Sequence, residues 1–230
     1  MLEMPTSDRP VTVVEGDCLE MVPALLAAGV AAVVSDPPYG MNWNTDSTRF
    51  TGGNRAATRG DGRDNWGAVR NDAVPFDPRP WIEFPKVVLF GANHYAARLP
   101  VGTTLVWVKK ADHLFGTFLS DAEIAWMKGG HGVYCFRKQF PPPSRMAESG
   151  DGRCAHPTQK PVDLMRWCIR RLKLPHGSLI LDPFAGSGTT GEAAKIMGKR
   201  AVLIEREERY CEVAARRLAQ DVLPLDCPNR

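Results

Sequence analysis

The sequence has no apolar run approaching the roughly 18 residues that a membrane span needs, and its opening MLEMPTSDRP carries no apolar signal stretch. The expectation is a soluble, cytoplasmic protein. Cysteine occurs six times, at 18, 135, 154, 168, 211 and 227, with no Cys-x-x-Cys pair and no Cys/His cluster at zinc-finger spacing. That pattern reads as reduced thiols, not a disulfide framework or a zinc module. His94, His113, His131 and His176 are scattered, so they read as structural or surface residues and no metal is assigned. An excess of one charge is also nearly absent: 29 Lys and Arg against 26 Asp and Glu leave +3. Blanket attraction to a polyanion is thereby excluded, and any nucleic-acid contact has to rest on a local concentration of Lys and Arg. There is no internal repeat.

What is present is ordinary for a globular chain: 43% hydrophobic and 24% charged residues over 230 positions, enough for one α/β domain spanning 1–230. Short apolar runs read as strands at Val11–Glu15, Val30–Ser35, Lys86–Phe90, Thr103–Val108, Ala122–Met127, Val133–Phe136, Ser178–Leu181 and Arg200–Ile204. Helical spacing predicts helices over Leu19–Ala28, Asn93–Leu99, a segment opened by Pro161, Thr189–Met197 and Glu207–Gln220. Pro23 must sit near the first turn of its helix or kink it. Met41–Pro75 and Gln139–Ala155 read as irregular, and Trp107 and Trp126 read as core, with Trp43 and Trp66 left open. Alternating strands and helices predict a mostly parallel, twisted sheet with helices on both faces.

The strongest local signal is Leu181-Asp182-Pro183-Phe184-Ala185-Gly186-Ser187-Gly188-Thr189-Thr190. A strand ends in a carboxylate, a glycine-rich turn follows, and a helix begins. In such sheets ligands sit beyond the carboxyl ends of the strands. The glycines at 186, 188 and 191 also satisfy G-x-G-x-x-G, which alone is weak and would admit a nicotinamide or flavin. A carboxylate at the strand end repels a pyrophosphate but attracts the ammonium of an amino-acid-like ligand, and no P-loop lysine follows. The next strand ends in Glu205, placed to hydrogen-bond both ribose hydroxyls.

A second constellation, Asp36-Pro37-Pro38-Tyr39, follows the buried run Val30–Ser35. Two prolines stiffen the loop and remove donors, leaving an acceptor-rich set: the Asp36 carboxylate and main-chain carbonyls. Such a set suits an exocyclic amino group, whose N–H donors it accepts while the lone pair is aimed elsewhere. Tyr39 offers a ring for stacking on a base.

The segments Ser35-Asp36-Pro37-Pro38-Tyr39-Gly40, Asp182 to Thr190 and His156-Pro157-Thr158-Gln159-Lys160-Pro161 resemble the motifs of DNA amino-methyltransferases of restriction–modification and phage systems. The catalytic motif precedes the cofactor motif, which is the circularly permuted order of the β class. Phe90-Gly91-Ala92-Asn93-His94 is more weakly similar. The resemblance implies a Rossmann-like methyltransferase fold and S-adenosylmethionine as cofactor. It implies a flipped base held by Asp36, Pro37, Pro38 and Tyr39, and a cofactor pocket from Asp36, Asp182, Pro183, Phe184, Gly186, Ser187, Gly188, Thr189 and Glu205. Asp17 and Cys18, where the family contacts the cofactor's adenine, and Thr158, Gln159 and Lys160 complete the pocket wall. It further implies double-stranded DNA as partner, with a homodimer and a cognate restriction nuclease as companions.

Asp36 leans the reading toward adenine N6, with cytosine N4 as the alternative. Cytosine C5 chemistry needs a cysteine nucleophile, typically in a Pro-Cys dipeptide, and the chain has none. An RNA methyltransferase and a DNA-binding module without catalysis are the remaining rivals. Two segments are candidates for DNA contact. Residues 41–75 carry Arg49, Arg55, Arg59, Arg63 and Arg70 against Asp46, Asp61, Asp64 and Asp72, a net of +1; the segment 137–155, read together with Lys160, carries a net of +3.

Overall fold

The computed structural model describes residues 3–41, 72–117, 120–149 and 158–219. Within them lie β1 (Val11–Glu15), α1 (Cys18–Ala27), β2 (Ala32–Ser35), α2 (Arg79–Ile82), β3 (Lys86–Phe90), β4 (Gly102–Val108), β5 (Ala122–Arg137), α3 (Pro142–Ser149), α4 (Val162–Arg171), β6 (Leu179–Asp182), α5 (Thr189–Ile196), β7 (Arg200–Glu205) and α6 (Glu208–Ala219). The strands form one seven-stranded sheet in the order β1-β7-β6-β2-β3-β5-β4. β1, β7, β6, β2 and β3 are mutually parallel, so their carboxyl ends share one edge. β5 runs antiparallel to β3.

Residue alternation explains why both sheet faces are covered. Val33, Val87 and Leu89 are buried in the layer that holds Leu25 of α1, Trp81 of α2 and Phe84. Their neighbours Val34, Val88 and Phe90 are buried on the other face with Leu164, Met165, Cys168 and Ile169 of α4 and Ala193 and Ala194 of α5. Strands buried on both faces read as continuous apolar runs, as AVVS and KVVLF do. Each such Leu or Val contributes roughly 1.5–3 kcal/mol by leaving water.

Three local expectations change. Pro23 lies past the first turn of α1, on its exposed side. The helix expected over 93–99 is instead two 3₁₀ turns, Ala92–His94 and Ala96–Arg98. The two strands expected over 122–127 and 133–136 are one element, β5, which bends at Gly129 and Gly130, both at positive φ. Its first part pairs with β4 from Val108↔Ala122 back to Gly102↔Lys128, and its second part from Thr104↔Val133 to Val108↔Arg137, so β5 embraces β4. Trp107 and Trp126 are core residues, as expected, their indoles donating to the carbonyls of Lys138 and Pro100. Trp43 and Trp66 lie outside the described residues.

Candidate active site

The shared strand edge gathers Asp36 (after β2), Asp182 (end of β6), Glu205 (end of β7) and the turn after β3. Asp36 is largely buried, and both its oxygens are engaged: Tyr39 Oη donates to Oδ1 and Lys160 Nζ to Oδ2. The loop after it is held by Asp72, whose Oδ1 accepts from the main-chain N–H of Tyr39 (3.1 Å), Gly40 (3.0 Å) and Met41 (3.2 Å). Three amides on one carboxylate oxygen fix a segment that has no ladder of its own. The Tyr39 ring lies over Gly91, where an added Cβ would overlap it, and stacks on His94 with centroids 5.1 Å apart and planes 6° from parallel. Burial first, then the Asp36 charge, push the Tyr39 phenol well above its usual range, so it remains a donor.

Behind Asp36 runs a line of alternating charge. Lys160, 7% exposed, also reaches Glu123 of β5 at 3.0 Å, and Glu123 accepts from Lys109 at 2.8 Å. Lys160 Nζ lies 5.4 Å from the centre of the Phe90 ring. Burial alone would lower the Lys160 ammonium, but Asp36 and Glu123 outweigh it and hold it above the usual lysine range. Burial would likewise raise Glu123, but Lys160 and Lys109 outweigh it and bring the carboxyl down to about 2. For Asp36 burial prevails: its carboxyl is raised, with Lys160 opposing and Glu123 adding to the rise.

Asp182, 3% exposed, accepts from Ser35 Oγ at 2.5 Å and from Phe184 N at 3.1 Å. No cationic side chain among the described residues pairs with it. Burial raises it to about 6, against hydrogen bonds from Ser35, Thr190 and Phe184. Phe184 sits edge-on to Phe76 and Trp81, centroids 5.8 and 5.6 Å away. The turn that follows uses Gly186 and Gly188 at positive φ, and a Cβ on Gly188 would crowd Ala214 of α6. Arg217 of α6, buried, donates to Ser187 O and Oγ (both 3.0 Å) and to Thr189 Oγ1 (3.2 Å), bracing the turn from behind.

The Glu205 carboxylate is also used by the fold. Its Oε2 accepts from Gly186 N (2.8 Å) and its Oε1 from Arg206 N (2.7 Å) and Glu207 N (3.0 Å). Three of a carboxylate's roughly four acceptor positions are thus taken by main-chain amides. Asp17 caps α1 through Leu19 N (3.0 Å) and pairs with Arg206, which ties the ends of β1 and β7 together. Cys18 is buried, its thiol pushed up to about 12 by burial and the Asp17 charge.

The structure therefore brings Asp36, Pro37, Pro38 and Tyr39 to the same edge as Asp182 to Thr189, Glu205, Asp17 and Cys18. In the third motif, Lys160 contacts Asp36, Gln159 is buried with its Oε1 accepting from Ser149 Oγ (3.2 Å), and Thr158 is exposed. His156 and Pro157 lie outside the described residues. Sequence reasoning missed Glu123, Lys109, Asp72, Arg206 and Arg217. Glu123 alone carried a signal, being a charge at the start of a strand that continues into the core residues Ala125 and Trp126. No group of three His, Cys, Asp or Glu able to hold a metal occurs among the described residues, and no helix there is long and apolar enough to cross a membrane.

Part of the segment read as irregular, Gln139–Ala155, is helical. Residues 142–149 are helix α3, with Pro142 and Pro143 in the first turn, where proline is tolerated. Of the cations of 137–155, Arg137 pairs with Asp112, and Lys138 pairs with Asp163 and Glu148; Lys160, counted with them, is buried. Residues 150–155, and all of 41–75 except Met41 and 72–75, lie outside the described residues.

Residues 136–216 match the family model described as DNA methylase, of the N6/N4 type. The type II methyltransferase M.HinfI of Haemophilus influenzae is 44% identical over 70 residues, 30% of this chain and 19% of that protein, so the match spans less than a fifth of that relative. The putative methylase YubD of Escherichia coli (strain K12) is 27% identical over 222 residues, covering 90% of this chain and 89% of that protein. Among solved structures, the M1.HpyAVI–SAM complex superposes with a TM-score of 0.55 at 21% identity, covering 91% of this chain and 100% of that one. The resemblance to DNA amino-methyltransferases and the Rossmann-like fold expected from it are both borne out.

Proposed function

We propose that this chain, with a DNA methylase segment set in a Rossmann-like sheet, is an S-adenosylmethionine-dependent DNA amino-methyltransferase acting on adenine N6. The observation that carries the reading is the Ser35–Asp182 hydrogen bond of 2.5 Å. It locks the acceptor loop after β2 to the cofactor-type turn after β6, so an amino group at Asp36 and a ligand at Asp182 are neighbours.

The residues fit the cofactor. Asp182 is a buried carboxylate with no cation of its own among the described residues, which is what an α-ammonium group requires. Gly186 and Gly188 let a ligand approach the main chain, and the remaining acceptor position of Glu205 suits a ribose hydroxyl. When bound, S-adenosylmethionine supplies an electrophilic methyl group on a sulfonium.

The chain's own residues do the rest. Tyr39 stacks on the extruded base, whose amino nitrogen is out of reach inside the duplex. Asp36 accepts an N–H of that nitrogen through the acceptor capacity that Tyr39 and Lys160 leave free. The nitrogen lone pair is then directed at the methyl carbon, and positioning provides most of the rate. Because burial raises the Asp36 carboxyl, it is suited to hold the proton that the methylated nitrogen releases. No covalent nucleophile is involved.

Cytosine N4 is the second reading, because the matching family model is of the N6/N4 type. Incubation with methyl-labelled S-adenosylmethionine and mixed-sequence duplex DNA, then nucleoside analysis, decides between them. Label in N6-methyladenine is expected. Label in N4-methylcytosine corrects the base, label only in RNA replaces the substrate, and failure to bind the cofactor overturns the reading.

A further inference from the structure

We infer that Lys160 and Glu123 are opposed positioning residues for Asp36, Lys160 holding the carboxylate as a hydrogen-bond acceptor and Glu123 restraining that hold by sharing the same ammonium. The inference rests on the reading of Asp36 as the amino-group acceptor, and it moves Lys160 from the cofactor wall, where its motif had placed it, to the catalytic carboxylate.

The geometry is a four-member line from four parts of the fold: Asp36 after β2, Lys160 before α4, Glu123 of β5 and Lys109 after β4. Lys160 Nζ has three N–H donors, and two of them go to carboxylates on opposite sides. A buried ammonium is costly without an ionised partner, so Lys160 pulls Asp36 toward its ionised form against the burial that raises it. Glu123 acts against this twice, by its own negative charge and by drawing Lys160 toward β5, while Lys109 on its far side limits the effect. The other groups facing Asp36 are Tyr39, which donates to it, Asp182 on β6, Tyr95 from the turn after β3, and His94 behind the Tyr39 ring.

Removing the two partners therefore has opposite consequences. Lys160→Met removes the ammonium that Asp36 pairs with and leaves it beside Glu123, which only Lys109 then offsets; this favours the protonated form of Asp36. Glu123→Gln leaves the whole of the Lys160 charge to Asp36, which favours its ionised form. A residue that merely filled space would not produce shifts of opposite sign.

The test combines two readouts on the full chain. The first is the pH profile of kcat for methyl transfer to DNA. Its acid limb is expected to move up by roughly one unit or more in Lys160→Met and down in Glu123→Gln, with cofactor affinity retained in both. The second is the Asp36 carboxyl titration, followed by carbon-13 NMR in aspartate-labelled protein and assigned with Asp36→Asn; it is expected to move the same way. The NMR arm separates the two readings: opposite titration shifts without methyl transfer would fail the function and leave the pair standing. Shifts of the same sign, no shift, or a Lys160→Met variant whose only defect is lost cofactor binding would overturn the inference. Should Lys160→Met not fold, the direction of the Glu123→Gln titration decides alone.

Discussion

At the scale of single residues, Asp182 carries two opposed requirements. A buried carboxylate without a cation is suited to a ligand ammonium and costly to the empty protein. Its pKa in the folded chain, about 6, lies above its ordinary 3.8, so the stability linked to it is fully present below 3.8 and is lost as pH rises through about 6. At pH 8 the ionised group costs about 3 kcal/mol. Asp182→Asn keeps an acceptor for Ser35 Oγ and Phe184 N and turns its amide toward Thr190. The variant is expected to be more stable than the parent at pH 8, by on the order of 1–3 kcal/mol, with the two converging near pH 4. Urea unfolding at both pH values measures this. Calorimetry with S-adenosylmethionine should show affinity falling in the parent as pH drops through about 6, and a weak, pH-independent affinity in the variant. A variant that binds as tightly as the parent would remove Asp182 from the site. Asp36, Asp182 and Glu205 were legible in the sequence because each is a carboxylate placed where an apolar run stops. Glu123, Lys109 and Asp72 were not, because each meets its partner across the fold: 160 with 123, 109 with 123, 39–41 with 72.

At the scale of elements, the strands between glycine and proline breaks were read nearly to the residue, since apolar runs buried on both faces have one interpretation at that length. Helix α3 was not, because Pro141-Pro142-Pro143 read as irregular when two of the prolines occupy a first turn that lacks intrahelical N–H partners anyway. The expected helix after β3 gave way to 3₁₀ turns that begin from Gly91 at φ 73°. That glycine has a second consequence, since its missing Cβ is where the Tyr39 ring rests. Gly91→Ala is thus strained in its backbone and displaces Tyr39 together with its His94 stack. The expected outcome is a loss of about 1–2 kcal/mol of stability and a fall in methyl transfer of at least about tenfold, with cofactor affinity kept. Thermal unfolding and steady-state kinetics measure the two effects, and unchanged kcat would show that the packing of Tyr39 on Gly91 has no part in catalysis.

At the scale of the whole molecule, one property of the sheet organises everything else. Five parallel strands, β1, β7, β6, β2 and β3, end at one edge, so residues as distant as 17, 36, 91, 182 and 205 become neighbours with no element dedicated to joining them. The permuted motif order costs nothing in such a sheet, because strand position and not chain order decides what meets. Charge is distributed differently. The net of +3 is small, and of the described cations in and just before helix α3, Arg137 and Lys138 are in ion pairs while Arg145 of α3 donates to the Phe140 carbonyl. We propose the arginines of 41–75 as the phosphate contacts. Replacing Arg49, Arg55, Arg59, Arg63 and Arg70 with glutamine, and keeping Asp72 because it holds the loop after Asp36, tests this. Each phosphate that is no longer neutralised lowers the slope of log K against log salt by about 0.9 in magnitude, so the slope for duplex DNA is expected to fall by up to about 4.5 while cofactor affinity is retained. A slope equal to the parent's would place the DNA surface elsewhere on the molecule, and the exposed side of α3 would be the next segment to neutralise.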